Sequence, residues 1–123
     1  MSGVATTALR AAVARALRLG PPLTRRVDVR RGVDVVMRDG AVLRADLYLP
    51  RLPATMTVLI RTPYGRRGPL SLLCGVIAER GFAVVIQSCR GTFDSGGRFD
   101  PLVNERADGA DTLRWLKHQP HRR

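Results

Sequence analysis

The 123-residue sequence predicts an α/β fold in which a β-hairpin leads into a parallel strand–helix–strand unit. Three observations support this prediction. Two β-rich runs flank an Asp-Gly pair, two short apolar runs enclose a segment with helical spacing, and 45% of the residues are hydrophobic, which is enough for a packed core. One domain is expected at this length, and we place it at residues 25–123, after a basic arm and Pro linker at residues 1–24.

The N-terminal arm is predicted to form an amphipathic helix over Val4–Leu19, ended by Gly20-Pro21-Pro22. At about 100° per residue, Leu9, Val13 and Leu17 line one face. The arginines lie on the opposite side: Arg10, Arg15, Arg18. The helix is either an arm that docks on the domain or frays, or a transit peptide or membrane-surface helix. Because its arginines interrupt any apolar signal segment, we expect a cytoplasmic protein.

The hairpin is predicted from Val33–Arg38 and Val42–Leu49, which flank Asp39-Gly40, a pair that favours a type I′ turn. Residues of the second run alternate, so one face is expected to be buried and the other largely in solvent. The buried set is Leu43, Ala45, Leu47, Leu49, and the solvent set is Val42, Arg44, Asp46, Tyr48.

The next segment is predicted to be a βαβ unit, with a strand at Thr57–Arg61, a helix at Leu70–Arg80 and a strand at Phe82–Gln87. The two strands should therefore lie parallel in one sheet. A last helix runs to about Lys117 after a cap at Asp100 or Asn104. Its inward residues are expected to be Ala107, Ala110, Leu113, Leu116.

Functional residues are expected where parallel strands end, in the loops at residues 62–69 and 88–101. Tyr64 in the first loop offers a hydroxyl donor there. Substrate contact and packing against the loop at 88–101 are equally good interpretations of this residue.

Other candidate sites fail on context. Asp94-Ser95-Gly96-Gly97 resembles a trypsin-like nucleophile segment, but both histidines follow it, and no G-x-S-x-G elbow occurs in the 123 residues. We expect Cys74 and Cys89 to be buried packing residues. His118 and His121 are expected in solvent. Three acids, Glu105, Asp108 and Asp111, are expected to lie on a solvent face near the start of a helix, where they compensate the helix dipole. We expect no cofactor and no metal site.

The net charge of +11 is uneven, since residues 1–31 carry seven arginines and one acid. Only 5% of the residues are aromatic, so few rings could stack on bases, and nucleic-acid binding is not favoured. The alternative to an enzyme is a small Arg-rich adaptor that binds nucleic acid or anionic membrane through residues 9–31. No stretch approaches the ~18 apolar residues of a membrane span.

Five groups of motifs occur in order between residues 33 and 120. They are Met37-Arg38-Asp39-Gly40 with Ala45-Asp46-Leu47-Tyr48 and Pro50; Arg61-Thr62-Pro63-Tyr64-Gly65; Glu79-Arg80-Gly81-Phe82-Ala83-Val84-Val85; Arg90-Gly91 with Ser95-Gly96-Gly97; and Asn104-Glu105, Ala107-Asp108-Gly109, Asp111-Thr112, Trp115-Leu116, Gln119-Pro120. Together they resemble the N-terminal portion of the Xaa-Pro dipeptidyl-peptidase-like (cocaine esterase-like) α/β-hydrolases. Members usually have Asp where this chain has Ser88.

The resemblance implies an incomplete α/β-hydrolase fold and a Ser-His-Asp triad that acts on small esters, amides or peptides. It gives Tyr64 the role of oxyanion donor. Nucleophile, acid and catalytic histidine would all follow Arg123, so the chain is expected to be an inactive truncated member. Strand 57–61 would also lack its neighbour, and its unpaired edge predicts self-association.

Overall fold

The computed structural model describes residues 3–54, 56–92, 95–96 and 105–118. Its elements in chain order are α1 (Gly3–Ala16), β1 (Val27–Val36), β2 (Val42–Pro50), β3 (Thr57–Thr62), α2 (Pro69–Glu79), β4 (Ala83–Ser88) and α3 (Glu105–Lys117). These elements confirm the predicted α/β class, with ends that differ from the predicted ones by a few residues. The predicted caps of α3, Asp100 and Asn104, lie outside the described residues.

The four strands form one sheet in the order β1-β2-β4-β3. β1 and β2 are antiparallel, β2 is antiparallel to β4, and β3 runs parallel to β4 from Thr57 to Thr62. The predicted parallel βαβ unit is therefore confirmed. Within the described residues, β1 and β3 are the two edge strands of the sheet.

The hairpin departs from the prediction in its length and its turn. β1 begins at Val27, six residues earlier than expected, and its register shifts between Arg30 and Val33. Gly32 has φ 66° there and donates its N–H to Asp46 Oδ1 at 3.0 Å. The turn is not type I′, because that turn needs two positive φ angles and Gly40 supplies the only one in it.

Both faces of the sheet are covered, which corrects the expectation of a solvent face on β2. Val35, Leu43, Leu47 and Val85 form a core on one side, against Leu116 of α3. The other core contains Tyr48 with α2 residues and the β4 residues that point to the same side: Cys74, Ala78, Val84, Ile86. Asp46 and Tyr48 are thus fully buried, because α2 covers the face that alternation alone assigned to water.

α1 docks on α2 through the face that the sequence assigned to solvent. Arg10 and Ala14 are buried, whereas Leu9 and Leu17 are 40% and 53% exposed. The Arg10 guanidinium lies against the backbone of Gly75, where a Cβ would sit 2.2 Å from Arg10 Nε. The expected orientation was wrong because a buried carboxylate, Glu79, attracts the arginine inward at 3.9 Å.

α3 also faces the domain with polar residues. Asp108, Asp111, Thr112 and Leu116 are its buried residues, and Leu113 is exposed. Of the four apolar residues expected to point inward, Leu116 alone is buried. Asp108 and Asp111 form ion pairs with Arg38 of the hairpin turn, and Asp108 also pairs with Arg90 of the loop after β4. These ion pairs determine the orientation of α3.

Candidate functional site

The carboxyl ends of β3 and β4 lie side by side and form the edge at which the sequence places a site. The two strands remain paired as far as Thr62 and Ser88, and the Cys89 N–H donates to the Thr62 carbonyl at 2.9 Å. Both loops predicted to carry function therefore leave the sheet at one place, which we call the carboxyl edge. The part of the second loop beyond residue 92 is described only at residues 95–96.

Tyr64 projects from the carboxyl edge into solvent. Its side chain is 88% exposed, so the described residues do not pack over the ring. Its backbone is held, because the Tyr64 N–H donates to Thr62 Oγ1 at 3.0 Å and Gly65 turns the chain with φ 98°. A fixed backbone with a free phenol can present a hydroxyl donor to a bound group.

A buried arginine ties the loop of Tyr64 to the neighbouring strand. Arg66 Nη1 donates to Ser88 Oγ at 2.7 Å, and Arg66 Nε lies 3.2 Å from Asp46 Oδ1. Ser88 is thus a hydrogen-bond partner of Arg66. The arginine that follows it, Arg90, pairs with other carboxylates.

Ser95 has a structural environment rather than that of a nucleophile. It is buried, its Oγ accepts the Arg44 N–H at 2.8 Å, and it donates to the Ser88 carbonyl at 2.9 Å. The neighbouring Gly96 N–H donates to the Val42 carbonyl at 2.7 Å. Both contacts hold the described part of this loop against β2, in agreement with the rejection of a trypsin-like site.

An ion-pair network joins the hairpin turn, the loop after β4 and α3. Arg90 makes a two-point pair with Asp108, at 2.8 Å from Nε and 2.7 Å from Nη2, and a second pair with Asp39 at 2.8 Å. Arg38 Nη1 lies 3.0 Å from Asp108 and 2.9 Å from Asp111. The acids of α3 were expected on a solvent face; the network shows that two of them are buried partners of arginines.

The network lowers the pKa of its three acids and raises the pKa of its two arginines. Burial would raise the pKa of Asp108, but hydrogen bonds from Arg90 and Arg38 outweigh it and hold the pKa below its ordinary value. The Arg38 backbone N–H and guanidinium lower the pKa of Asp111, and Arg90 followed by the Ala41 N–H lowers that of Asp39. All three acids are therefore carboxylates at neutral pH and act as acceptors, not as proton donors.

Neither cysteine is activated. Burial, followed by the charge of Glu105, raises the pKa of Cys89 to about 11, and burial followed by Asp46 raises that of Cys74 to about 11. A thiol nucleophile needs a lowered pKa, so the prediction that both are packing residues is confirmed by their burial. Within the described residues, no three His, Cys, Asp or Glu side chains come together as a metal site.

The buried charged residues around the carboxyl edge were not predicted from the sequence. Arg61 shows this best: its Nε donates to Gln87 Oε1 at 2.7 Å, and its Nη1 pairs with Glu105 at 2.6 Å. A signal was present, since β3 and β4 read as strands covered on both faces, and a charged residue in such a strand requires a buried partner.

The fold resembles that of solved hydrolases. The chain superposes on an α-amino-acid ester hydrolase with a TM-score of 0.62 at 24% identity, over 85% of this chain and 21% of that one. It superposes on a CocE/NonD family hydrolase from Staphylococcus aureus with a TM-score of 0.65 at 19% identity, over 76% and 21%. The fold is therefore that of part of an α/β-hydrolase.

The sequence gives the narrower assignment. Residues 39–123 match the model of the X-Pro dipeptidyl-peptidase (S15) family. Over 97 residues the chain is 39% identical to a cocaine esterase of Rhodococcus sp. (strain MB1 Bresler), covering 74% of this chain and 17% of that protein. The chain belongs to the X-Pro dipeptidyl-peptidase (S15) family and spans about a sixth of the length of this relative, as the resemblance predicted.

None of the helices in the described ranges is long and apolar enough to cross a membrane.

Proposed function

We propose that the carboxyl edge forms one wall of an acyl-hydrolase active site, in which the Tyr64 hydroxyl donates a hydrogen bond to the substrate carbonyl oxygen. The observation that supports this proposal is the exposed phenol of Tyr64 at the carboxyl edge, on a backbone held by a hydrogen bond to Thr62. During attack on an ester or amide, including an X-Pro bond, the carbonyl oxygen becomes negative. A donor placed at that oxygen stabilises the transition state more than the ground state.

The nucleophile and its base are proposed to come from outside residues 1–123. No serine of these residues lies in a G-x-S-x-G segment, both thiols have raised pKa values, and Ser95 is engaged by two hydrogen bonds. We therefore expect the 123-residue polypeptide to lack hydrolytic activity. A fluorophosphonate probe should leave the purified chain unlabelled, and labelling at any serine would overturn this proposal.

The role of Tyr64 is testable in a chimera. Residues 33–118 would replace the matching segment of the Rhodococcus cocaine esterase, to which the chain is 39% identical over 97 residues. Tyr64→Phe should lower kcat about 10²-fold with little change in KM, because the lost donor acts in the transition state. Met56→Leu, at another exposed site, is the control and should keep full activity. Equal kcat in the Tyr64→Phe and parent chimeras would exclude the oxyanion role.

We also propose self-association through β3. Its sequence, TVLIRT, has one charged residue, whereas β1 carries four and a register shift, features that protect sheet edges. An apolar edge strand offers unpaired N–H and C=O groups to a second chain. The two edges of the described sheet are thus unequal, and β3 is the one expected to pair.

The adaptor alternative stays a prediction, but the structure changes its test. Deleting residues 1–31 would remove half of β1, so loss of binding would report unfolding. Arg15→Glu and Arg18→Glu alter two exposed charges instead. Loss of salt-dependent nucleic-acid or vesicle binding in these variants would favour the adaptor, and absence of binding in the parent chain would exclude it.

A further inference from the structure

A cavity of about 460 Å³ opens between α1, the β1–β2 hairpin and the first turn of α2. Three arginines line it, Arg10, Arg31 and Arg67, and no carboxylate lies among its described lining residues. The rest of the wall is mostly apolar, with Leu9 from α1 and Leu72 from α2. We call it the arginine cavity.

The carboxylates behind the wall do not balance its arginines. Asp46 is buried and lies 3.1 Å from Arg31, 3.2 Å from Arg66 and 3.9 Å from Arg67. One negative charge thus faces three guanidinium groups. An excess of positive charge therefore remains at the wall, where it can attract an anion.

A similar imbalance occurs at a second buried carboxylate, which lies outside the cavity lining but contacts the lining residue Arg10. Glu79 lies 3.2 Å from Arg80, 3.8 Å from Arg25 and 3.9 Å from Arg10. Arg10 is only 8% exposed, and its Nε has no hydrogen-bond partner within the described part of the chain. A buried guanidinium that is incompletely paired is costly unless a further acceptor reaches it.

The start of α2 adds to the positive character of the arginine cavity. Gly68 and Pro69 line it, and Gly68 caps the helix without a side-chain hydrogen bond. Pro69 has no N–H, so the first amides of the helix are those of Leu70 and Ser71, which carry partial positive charge. The Tyr48 and Ser71 hydroxyls, which bond to each other, provide further polar groups at the same wall.

We propose that the arginine cavity binds an amphiphilic carboxylate, with its acyl chain against Leu9 and Leu72 and its carboxylate at Arg31 and Arg67. A cavity lined only by charge would suit phosphate. Here the apolar wall rewards burial of a hydrocarbon chain, while two outer arginines remain accessible to a headgroup. The inference does not depend on the hydrolase proposal.

Calorimetric titration of the 123-residue chain with decanoate, below its micelle concentration, tests the ligand class. Decanoate should bind at least tenfold more tightly than decanamide, which lacks the charge, and than acetate, which lacks the chain. Equal binding of decanoate and decanamide would overturn the role of the arginines. Tighter binding of inorganic phosphate than of decanoate would overturn the amphiphilic class.

Matched variants test the location. Leu9→Asp places a negative charge in the arginine cavity, whereas Leu17→Asp makes the same change one residue after the end of α1, at an exposed position outside the cavity lining. Leu9→Asp should weaken decanoate binding tenfold or more, and Leu17→Asp should leave it unchanged. Equal affinities in the two variants would overturn the assignment.

A second pair covers the case in which Leu9→Asp disturbs α1, which circular dichroism would show. The side chains of Arg67 and Arg114 are 67% and 69% exposed, so removing either charge should affect the stability of the fold less than removing a buried charge would. Arg67→Gln should weaken decanoate binding about fivefold and Arg114→Gln should not. Unchanged affinity in Arg67→Gln would again overturn the proposal.

Discussion

The guanidinium of Arg90 and the carboxylate of Asp108 face each other in a two-point, buried ion pair, with contacts of 2.8 Å and 2.7 Å. The pair joins the loop after β4 to α3 across 18 residues of sequence. It also contacts the hairpin turn, because Arg90 binds Asp39 and Asp108 binds Arg38. The carboxyl edge is thus held from three separate elements.

This network predicts loss of stability in acid. The pKa values of Asp39, Asp108 and Asp111 are lowered in the folded chain, whereas in the unfolded chain they lie near 4. Below about pH 5 the unfolded state therefore binds more protons, so the free energy of unfolding falls as pH falls. The urea midpoint should decline between pH 5 and pH 3.

Asp108→Asn should reduce this decline as well as the stability itself, since one of the shifted groups is removed. Asp28→Asn is the control, because Asp28 of β1 pairs with Arg51, the residue after β2, and both side chains are exposed. A slope in Asp108→Asn equal to that of the parent chain would contradict the assignment to the network.

Two helix glycines predict opposite outcomes on substitution by alanine. A Cβ at Gly75 would meet the Arg10 guanidinium at 2.2 Å, whereas a Cβ at Gly109 has its nearest atom, Arg61 Cδ, at 3.9 Å. Gly109→Ala should raise stability by roughly 0.5–1 kcal/mol through helix propensity. Gly75→Ala should release α1, because the buried guanidinium must move.

Hydrogen exchange distinguishes these outcomes. In Gly75→Ala the amides of α1 should exchange faster, and the double variant with Arg10→Ala should lose the steric conflict with Gly75. Unchanged protection of α1 in Gly75→Ala would show that the contact does not hold the helix.

The two tyrosines predict a contrast between function and stability. Tyr48 is buried and its hydroxyl bonds to Ser71, so Tyr48→Phe should cost about 1–2 kcal/mol. Tyr64 is exposed, so Tyr64→Phe should change the free energy of unfolding by less than about 0.5 kcal/mol. Urea titration measures both, and a large loss in Tyr64→Phe would indicate a structural role instead.

Association through β3 predicts a dependence on edge charge. Val58→Lys places a charge in the apolar edge strand and should lower the sedimentation-detected oligomer fraction at a given concentration. Val36→Lys places the same charge at an exposed position of β1 and should have no such effect. A clean monomer for the parent chain would contradict self-association.

Much of the fold was predictable because its signals are local. The β3–α2–β4 unit follows from two short apolar runs around a helical segment, and the hairpin from β-rich runs around Asp39-Gly40. The turn type was not predictable from local sequence, because Asp39 is both a turn residue and an ion-pair partner of the distant Arg90. The orientation of α1 was also missed, because Glu79 lies far along the chain from Arg10.

The order of motifs in the chain determined the family and the candidate Tyr64, since both depend on residue identity and spacing. Tertiary structure decided which charges are buried. Asp46 and Asp108 were expected in solvent, yet arginines from other elements enclose them, and Arg10 and Arg25 enclose the buried Glu79 in the same way. The free energy of a charge depends on what surrounds it, and the surroundings are assembled from residues distant in sequence.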